Sequence, residues 1–122
     1  MDSKEQLRED ALNFSIAVSD LCDILNGCSV YKNQLVRSSS SVGANIFEVR
    51  YAQSHADFIS KLEIALKECY ETEYWLELLR RKGVIHQEDF QNLRNQCGSI
   101  RRRLIASVRT VKESSGSQQE SK

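Results

Sequence analysis

The sequence predicts an all-α fold, an antiparallel up-down-up-down four-helix bundle. Three observations carry that expectation. The 122 residues hold no proline and only five glycines, a composition suited to long helices joined by short turns. Four apolar stripes recur at steps of three and four, the spacing of one helix face. The links between them are short, which favours antiparallel neighbours. One domain, residues 1–113, fits this length, with a disordered polar tail expected over 114–122.

The first helix is expected over about 4–26, with Asp2 or Ser3 as its cap. Leu7, Ala11, Phe14, Val18, Leu21 and Leu25 share one face. Asn26-Gly27 ends it, as glycine in the left-handed region commonly does. Residues from Cys28 to about Asn33 read as a loop.

The second helix is expected over about 34–52. Leu35, Ser39, Val42, Ile46 and Val49 carry its stripe. The serine run Ser38 to Ser41 could mark a loop, but the apolar spacing continues through it. Serine and Gly43 lower helix propensity, so small residues there point to close helix approach.

The third helix is expected over about 54–82. Ser54 caps it, with Asp57 three residues later as in a capping box. Phe58, Leu62, Ala65, Cys69, Thr72, Leu76 and Leu79 form the stripe. Gly83 closes it, after the cations Arg80, Arg81 and Lys82, which suit the negative end of the helix dipole.

The fourth helix is expected over about 87–112, with stripe residues Phe90, Leu93, Cys97, Ile100, Leu104, Val108 and Val111. Glu88 and Asp89 at its start, and Arg109 and Lys112 at its end, again match the dipole.

The third helix carries more apolar residues than one stripe uses. With about 100° per residue, Ile59, Tyr70 and Tyr74 fall on one flank. Ile64, Trp75 and Leu78 fall on the other. A single four-helix unit would leave several of them exposed unless its helices cross so as to cover both flanks. Ile59, Tyr70, Tyr74, Trp75 and Leu78 are therefore candidate interface residues, and self-association is expected.

Charge and cysteine usage bound the function. Lys plus Arg and Asp plus Glu number 17 each, which argues against a general polyanion binder but leaves room for a local patch. Cys22, Cys28, Cys69 and Cys97 form no CxxC pair. Cys69 and Cys97 fall on apolar stripes, where cysteine behaves as a small hydrophobe. The charged N-terminal segment is followed by no apolar run, so no membrane span or signal peptide is expected and a reducing cytoplasm is the expected compartment.

The stretch from Gln34 to Leu79 also resembles a known family. The residues are Gln34-Leu35, Arg37-Ser38, Ser41-Val42-Gly43-Ala44-Asn45 and Glu48. They continue through Asp57-Phe58-Ile59, Lys61-Leu62, Ile64-Ala65, Lys67-Glu68, Glu71-Thr72 and Tyr74-Trp75-Leu76. This pattern is similar to the bacterial "four helix bundle protein" family, also called the ribosomal RNA intervening-sequence protein family. The first and fourth helices match it only in pattern. The resemblance implies an antiparallel bundle assembled as a ring-like homopentamer, with no enzymatic activity. Relatives that accompany diversity-generating retroelements are implied to bind nucleic acid and a reverse transcriptase. The chain departs from the family in lacking the proline often found between the first two helices. It also has Val49 where many members place Gly or Ala.

Arg37, Asn45, Glu48 and Glu71 are the polar residues this motif singles out. They can be read as a charged pocket, or as a hydrogen-bond network that fixes helix register or oligomer geometry; the second reading is preferred. Glu68, Glu71 and Glu73 show nothing that would raise a carboxylate pKa for acid/base work. His55 and His86 sit near helix starts, outside any HExxH or cysteine-ligand spacing. No Glu-x-x-His pair, GxSxG elbow or Gly-rich phosphate loop is visible, and no catalytic group, cofactor or metal is expected.

The remaining signal is basic. Arg94, Arg101, Arg102, Arg103, Arg109 and Lys112 line the fourth helix with no acid among them. Five are arginine, the better fork for phosphate. They are candidate contacts to RNA or DNA. The alternative is that they pair with the third helix through Glu68, Glu71 or Glu77. A protein–protein adaptor binding another partner protein, with no nucleic-acid role, is the competing function.

Overall fold

The structure, a computed structural model, describes the backbone of residues 1–120 and the side chains of 1–114. Four α-helices account for the fold: α1 (Ser3–Ile24), α2 (Ser29–Glu48), α3 (His55–Arg81) and α4 (Gln87–Glu120). Each helix packs on the next, and α4 returns to α1, so the bundle closes with α1 diagonal to α3. This is the up-down-up-down order expected for short links.

The predicted stripes meet in one core. Phe14, Val18, Leu35, Val42, Ala65, Cys69, Leu76, Leu79, Cys97 and Leu104 are closed to solvent. Leu21, Leu25, Val49, Phe58, Val108 and Val111 lie at stripe ends and are only partly covered. The small residues of α2 do bring helices close. A side-chain carbon on Gly43 would stand 3.3 Å from Ser15 Oγ and 3.6 Å from the Ala11 carbonyl oxygen. Beside it, Ser15 donates within reach of two carbonyls, Ala11 at 3.1 Å and Ser39 at 3.2 Å, tying α1 to α2.

The helix ends follow local chemistry. Asp2 Oδ1 accepts from the Glu5 amide at 2.8 Å and caps α1. Ser54 Oγ accepts from the Asp57 amide at 3.0 Å. Asp57 reaches back to the Gln53 amide, also at 3.0 Å, one residue earlier than the reciprocal bond of a capping box. Gly83, at φ +77°, closes α3 in a Schellman arrangement: its amide donates to the Arg80 carbonyl and the Val84 amide to that of Leu79.

Three boundaries differ from expectation. The loop expected over Cys28 to Asn33 is mostly helix, because α2 begins at Ser29. No proline or second glycine follows Gly27 to stop it. Gly27 and Cys28 turn the chain with φ of +80° and +52°, and Lys32 Nζ donates to the Leu25 carbonyl at 2.7 Å, tying α2 to the end of α1. At its far end, α2 stops at Glu48 and tightens into a 3-10 turn, Val49–Tyr51. The expected fourth-helix end at Lys112 is passed, and α4 runs to Glu120. The backbone of 114–120, expected as a disordered tail, continues the helix, although serine and Gly116 lower helix propensity there. Residues 121 and 122 lie outside the described residues.

Candidate functional site

Two polar constellations flank α3, one toward α2 and one toward α4. On the α2 side, Arg37 Nη1 donates to Glu68 Oε2 at 3.3 Å, and its Nη2 donates to Glu71. Trp75 Nε1 adds a bond to Glu71 Oε1 at 3.2 Å. Beneath them, Thr72 Oγ1 donates to the Glu68 carbonyl at 2.7 Å, and the buried Ser38 hydroxyl lies 2.9 Å from Thr72 Oγ1. The Arg37 bond pulls the Glu71 carboxyl below its ordinary pKa. Burial, aided by the neighbouring Glu71, pushes Glu68 above its own.

Asn45 and Glu48 do not join this group. Asn45 Nδ2 donates within α2, to the Ser41 carbonyl at 2.9 Å and Ser41 Oγ at 3.2 Å. Glu48 is exposed and pairs with Lys61 at 3.2 Å. The four polar residues singled out in the sequence therefore separate into an Arg37–Glu71 pair, an Asn45 contact within α2 and a Glu48–Lys61 pair from α2 to α3. Along α2, Asn45 and Glu48 lie about two and about three turns beyond Arg37, too far to share one site with it.

On the α4 side the basic row is largely neutralised. Arg94 Nε and Arg101 Nε lie 3.4 and 3.1 Å from Glu73 Oε1, and Glu73 is buried. Arg103 pairs with Asp10 of α1 at 2.8 Å, and Lys112 with Glu63 at 3.1 Å. Arg102 and Arg109 are exposed and have no acidic partner among the described residues. The partners on α3 are thus Glu73 for Arg94 and Arg101 and Glu63 for Lys112, where Glu68, Glu71 or Glu77 was expected. Glu68 and Glu71 face α2. Glu77 is taken by Arg80 and Arg81, at 2.6 and 2.8 Å. Glu73 follows Thr72 on the stripe and faces α4, a relation that a helical wheel contains but composition does not mark.

Around the buried Gly98, Arg94, Arg101, Arg102, Asn95 and Gln91 line a polar groove. Arg101 also lies over the Tyr70 ring, 5.6 Å from its centroid. Tyr70 and Tyr74 are exposed, 51% and 59%. Tyr74 packs edge-on to Trp75, and Tyr31 stacks with that indole. Trp75 and Leu78 pack against the core and Ile59 is half-buried. Of the five candidate interface residues, Tyr70 and Tyr74 face solvent most fully.

The cysteines sit where a small hydrophobe fits. Cys69 and Cys97 are buried, and the Cys97 thiol donates to the Cys69 carbonyl at 3.5 Å. Hydrogen bonding with the Cys69 side chain, and then burial, push the Cys97 pKa up, so the unreactive thiol form persists. Among the described residues, no three His, Cys, Asp or Glu side chains gather as a metal ion would require. No helix among them is long and apolar enough to cross a membrane.

Residues 4–106 match the family described as 23S rRNA-intervening sequence protein. The chain belongs to this family. A crystal structure of a protein of unknown function from the S23 ribosomal protein family of Bacteroides thetaiotaomicron VPI-5482 is similar throughout. It shares 40% sequence identity over 88% of this chain and 99% of that one, with a TM-score of 0.83. No functionally curated protein matches. The family resemblance in the α2–α3 stretch therefore extends across the bundle, and neither the intervening-sequence family's description nor the Bacteroides protein's names a reaction.

Proposed function

We propose that the chain is a non-catalytic scaffold that assembles as a homo-oligomeric ring and meets RNA or DNA along α4. The observation that carries assembly is a pair of unlike exposed patches on different helices. One is a groove between α1 and α2, floored by Ser15, Ser40, Gly43 and Ala44 and edged by Leu12 and Phe47. The other is the aromatic ridge of Tyr70 and Tyr74 on α3. Unlike patches that join head to tail generate a ring when the rotation closes. The family resemblance implies five copies.

Nucleic-acid contact rests on Arg102 and Arg109, the unpaired members of the α4 row, repeated around such a ring. Multivalency then strengthens contacts that are weak singly. The pairing of Arg94, Arg101, Arg103 and Lys112 with carboxylates favours the second reading, a protein–protein adaptor.

Light scattering tests assembly. The expected mass is about five times the 14.0 kDa chain, and Tyr70→Glu with Tyr74→Glu should lower it toward one chain. A monomeric wild-type mass would overturn the ring. RNA binding across a salt series tests the rest. Arg102→Ala with Arg109→Ala should flatten the slope. Glu73→Gln, which releases Arg94 and Arg101, should steepen it. An intact oligomer with no binding at low salt would leave the adaptor.

A further inference from the structure

The antiparallel order gathers the start of α1, the end of α2, the start of α3 and the far part of α4 at one end of the bundle. There the core does not close. A cavity of about 440 Å³ opens between all four helices, a size within the range of small-molecule sites. Its wall is apolar, from Leu7, Ile46, Val49, Phe58, Leu62 and Val111. Leu7, Ile46 and Leu62 belong to the core, whereas Val49, Phe58 and Val111 are left half-covered.

The rim is cationic. Lys4, Arg8 and Arg50 line it, with Ser107 and Thr110 as neutral polar groups and, among the described residues, no carboxylate. None of the three cations has an acidic partner among the described residues. Two lysines nearby, Lys61 and Lys112, are both paired. Arg50 is braced by the Phe47 and Tyr51 rings, 4.3 and 5.4 Å from their centroids. An apolar pocket with a positive mouth complements an alkyl chain that ends in an anion.

We propose that this end of the bundle binds a medium-chain fatty carboxylate. The alkyl chain occupies the cavity between Leu7, Ile46, Phe58 and Val111. The carboxylate sits at the rim against Arg8 and Arg50, where charge-assisted bonds are available. This site is distinct from the aromatic ridge, but Arg8 and Arg50 also line the α1–α2 groove proposed above to receive that ridge, so the arginine variant below is compared at an assembled mass that light scattering shows to be unchanged.

Calorimetric titration of the assembled wild-type chain with decanoate, below its micelle concentration, tests the proposal. Saturable binding at one molecule per chain is expected. Octanoate should bind more weakly by about fourfold for each methylene removed. Decanol, which lacks the charge, should bind at least about tenfold more weakly, and so should decanoate to the Arg8→Ala/Arg50→Ala double variant. Ser107→Leu should fill the cavity and abolish binding with the helical circular dichroism retained. If that variant fails to fold, the arginine pair, which lies at the rim, still decides. Absence of saturable decanoate binding overturns the proposal. So does equal affinity for decanol, or unchanged affinity in the double arginine variant.

Discussion

Glu73 and Thr72 are adjacent on α3 and both are buried, yet they are satisfied in different ways. Arg94 and Arg101 reach the same oxygen of Glu73, a pairing that matters because an unpaired carboxylate at that depth would be costly. Thr72 is satisfied by a carbonyl of its own helix and by Ser38 across the interface. Thr72→Val keeps the shape and removes the hydroxyl, so it should lower unfolding free energy by about 1–2 kcal/mol in urea denaturation. Glu77 carries a pH prediction. Hydrogen bonds from Arg80 and then Arg81 depress its carboxyl pKa from 4.5 to about 2. A depressed acid stabilises the folded state fully above its unfolded pKa, and that contribution fades as pH falls from about 4.5 through about 2. Carboxyl NMR should find Glu77 titrating near 2, and Arg80→Ala should move it upward. The stripe residues were legible singly, from spacing. Glu73 was not, because its role depends on two arginines that lie 21 and 28 positions on in the sequence.

At the scale of the element, caps and stripes were readable and links were not. Asp2, Ser54 and Gly83 act through bonds to residues three to four positions away, so local sequence contains them. The start of α2 escaped because Val30 and Tyr31, in its first turn, are exposed and continue no stripe. Helix there is the outcome of a missing breaker. The packing of α2 on α1 is set by Gly43, whose neighbours would meet any added side chain at 3.3–3.8 Å. Gly43→Leu should force the two helices apart and cost about 1–3 kcal/mol, read as a lowered melting temperature with helix content retained. Because Gly43 also floors the groove proposed to receive the aromatic ridge, the same variant should reduce the assembled mass by light scattering.

Across the whole molecule, the up-down-up-down order follows from four stripes and short links, and the sequence contains both. What it does not contain is the meeting of helix ends. Val49, Phe58 and Val111 each look like an end residue of a stripe, and only the closed bundle turns them into the wall of one cavity. The same closure gives the chain its least local seam. The contacts of α1 with α2, α2 with α3 and α3 with α4 join neighbours in sequence, whereas α1 and α4 meet across most of the chain and along the slightest of these interfaces. The Arg103–Asp10 pair spans 93 positions of that seam at 2.8 Å. Local hairpins cost little loop entropy to form, and distant contacts cost more. The seam should therefore zip last, after the rate-limiting step. Arg103→Ala should then raise the unfolding rate by about two- to fivefold and leave the refolding rate nearly unchanged in a stopped-flow chevron. A slowed refolding limb would instead put α1 and α4 together in the nucleus. In kinetic terms the seam is the clasp of the bundle, setting how long a folded chain stays shut rather than how fast it forms.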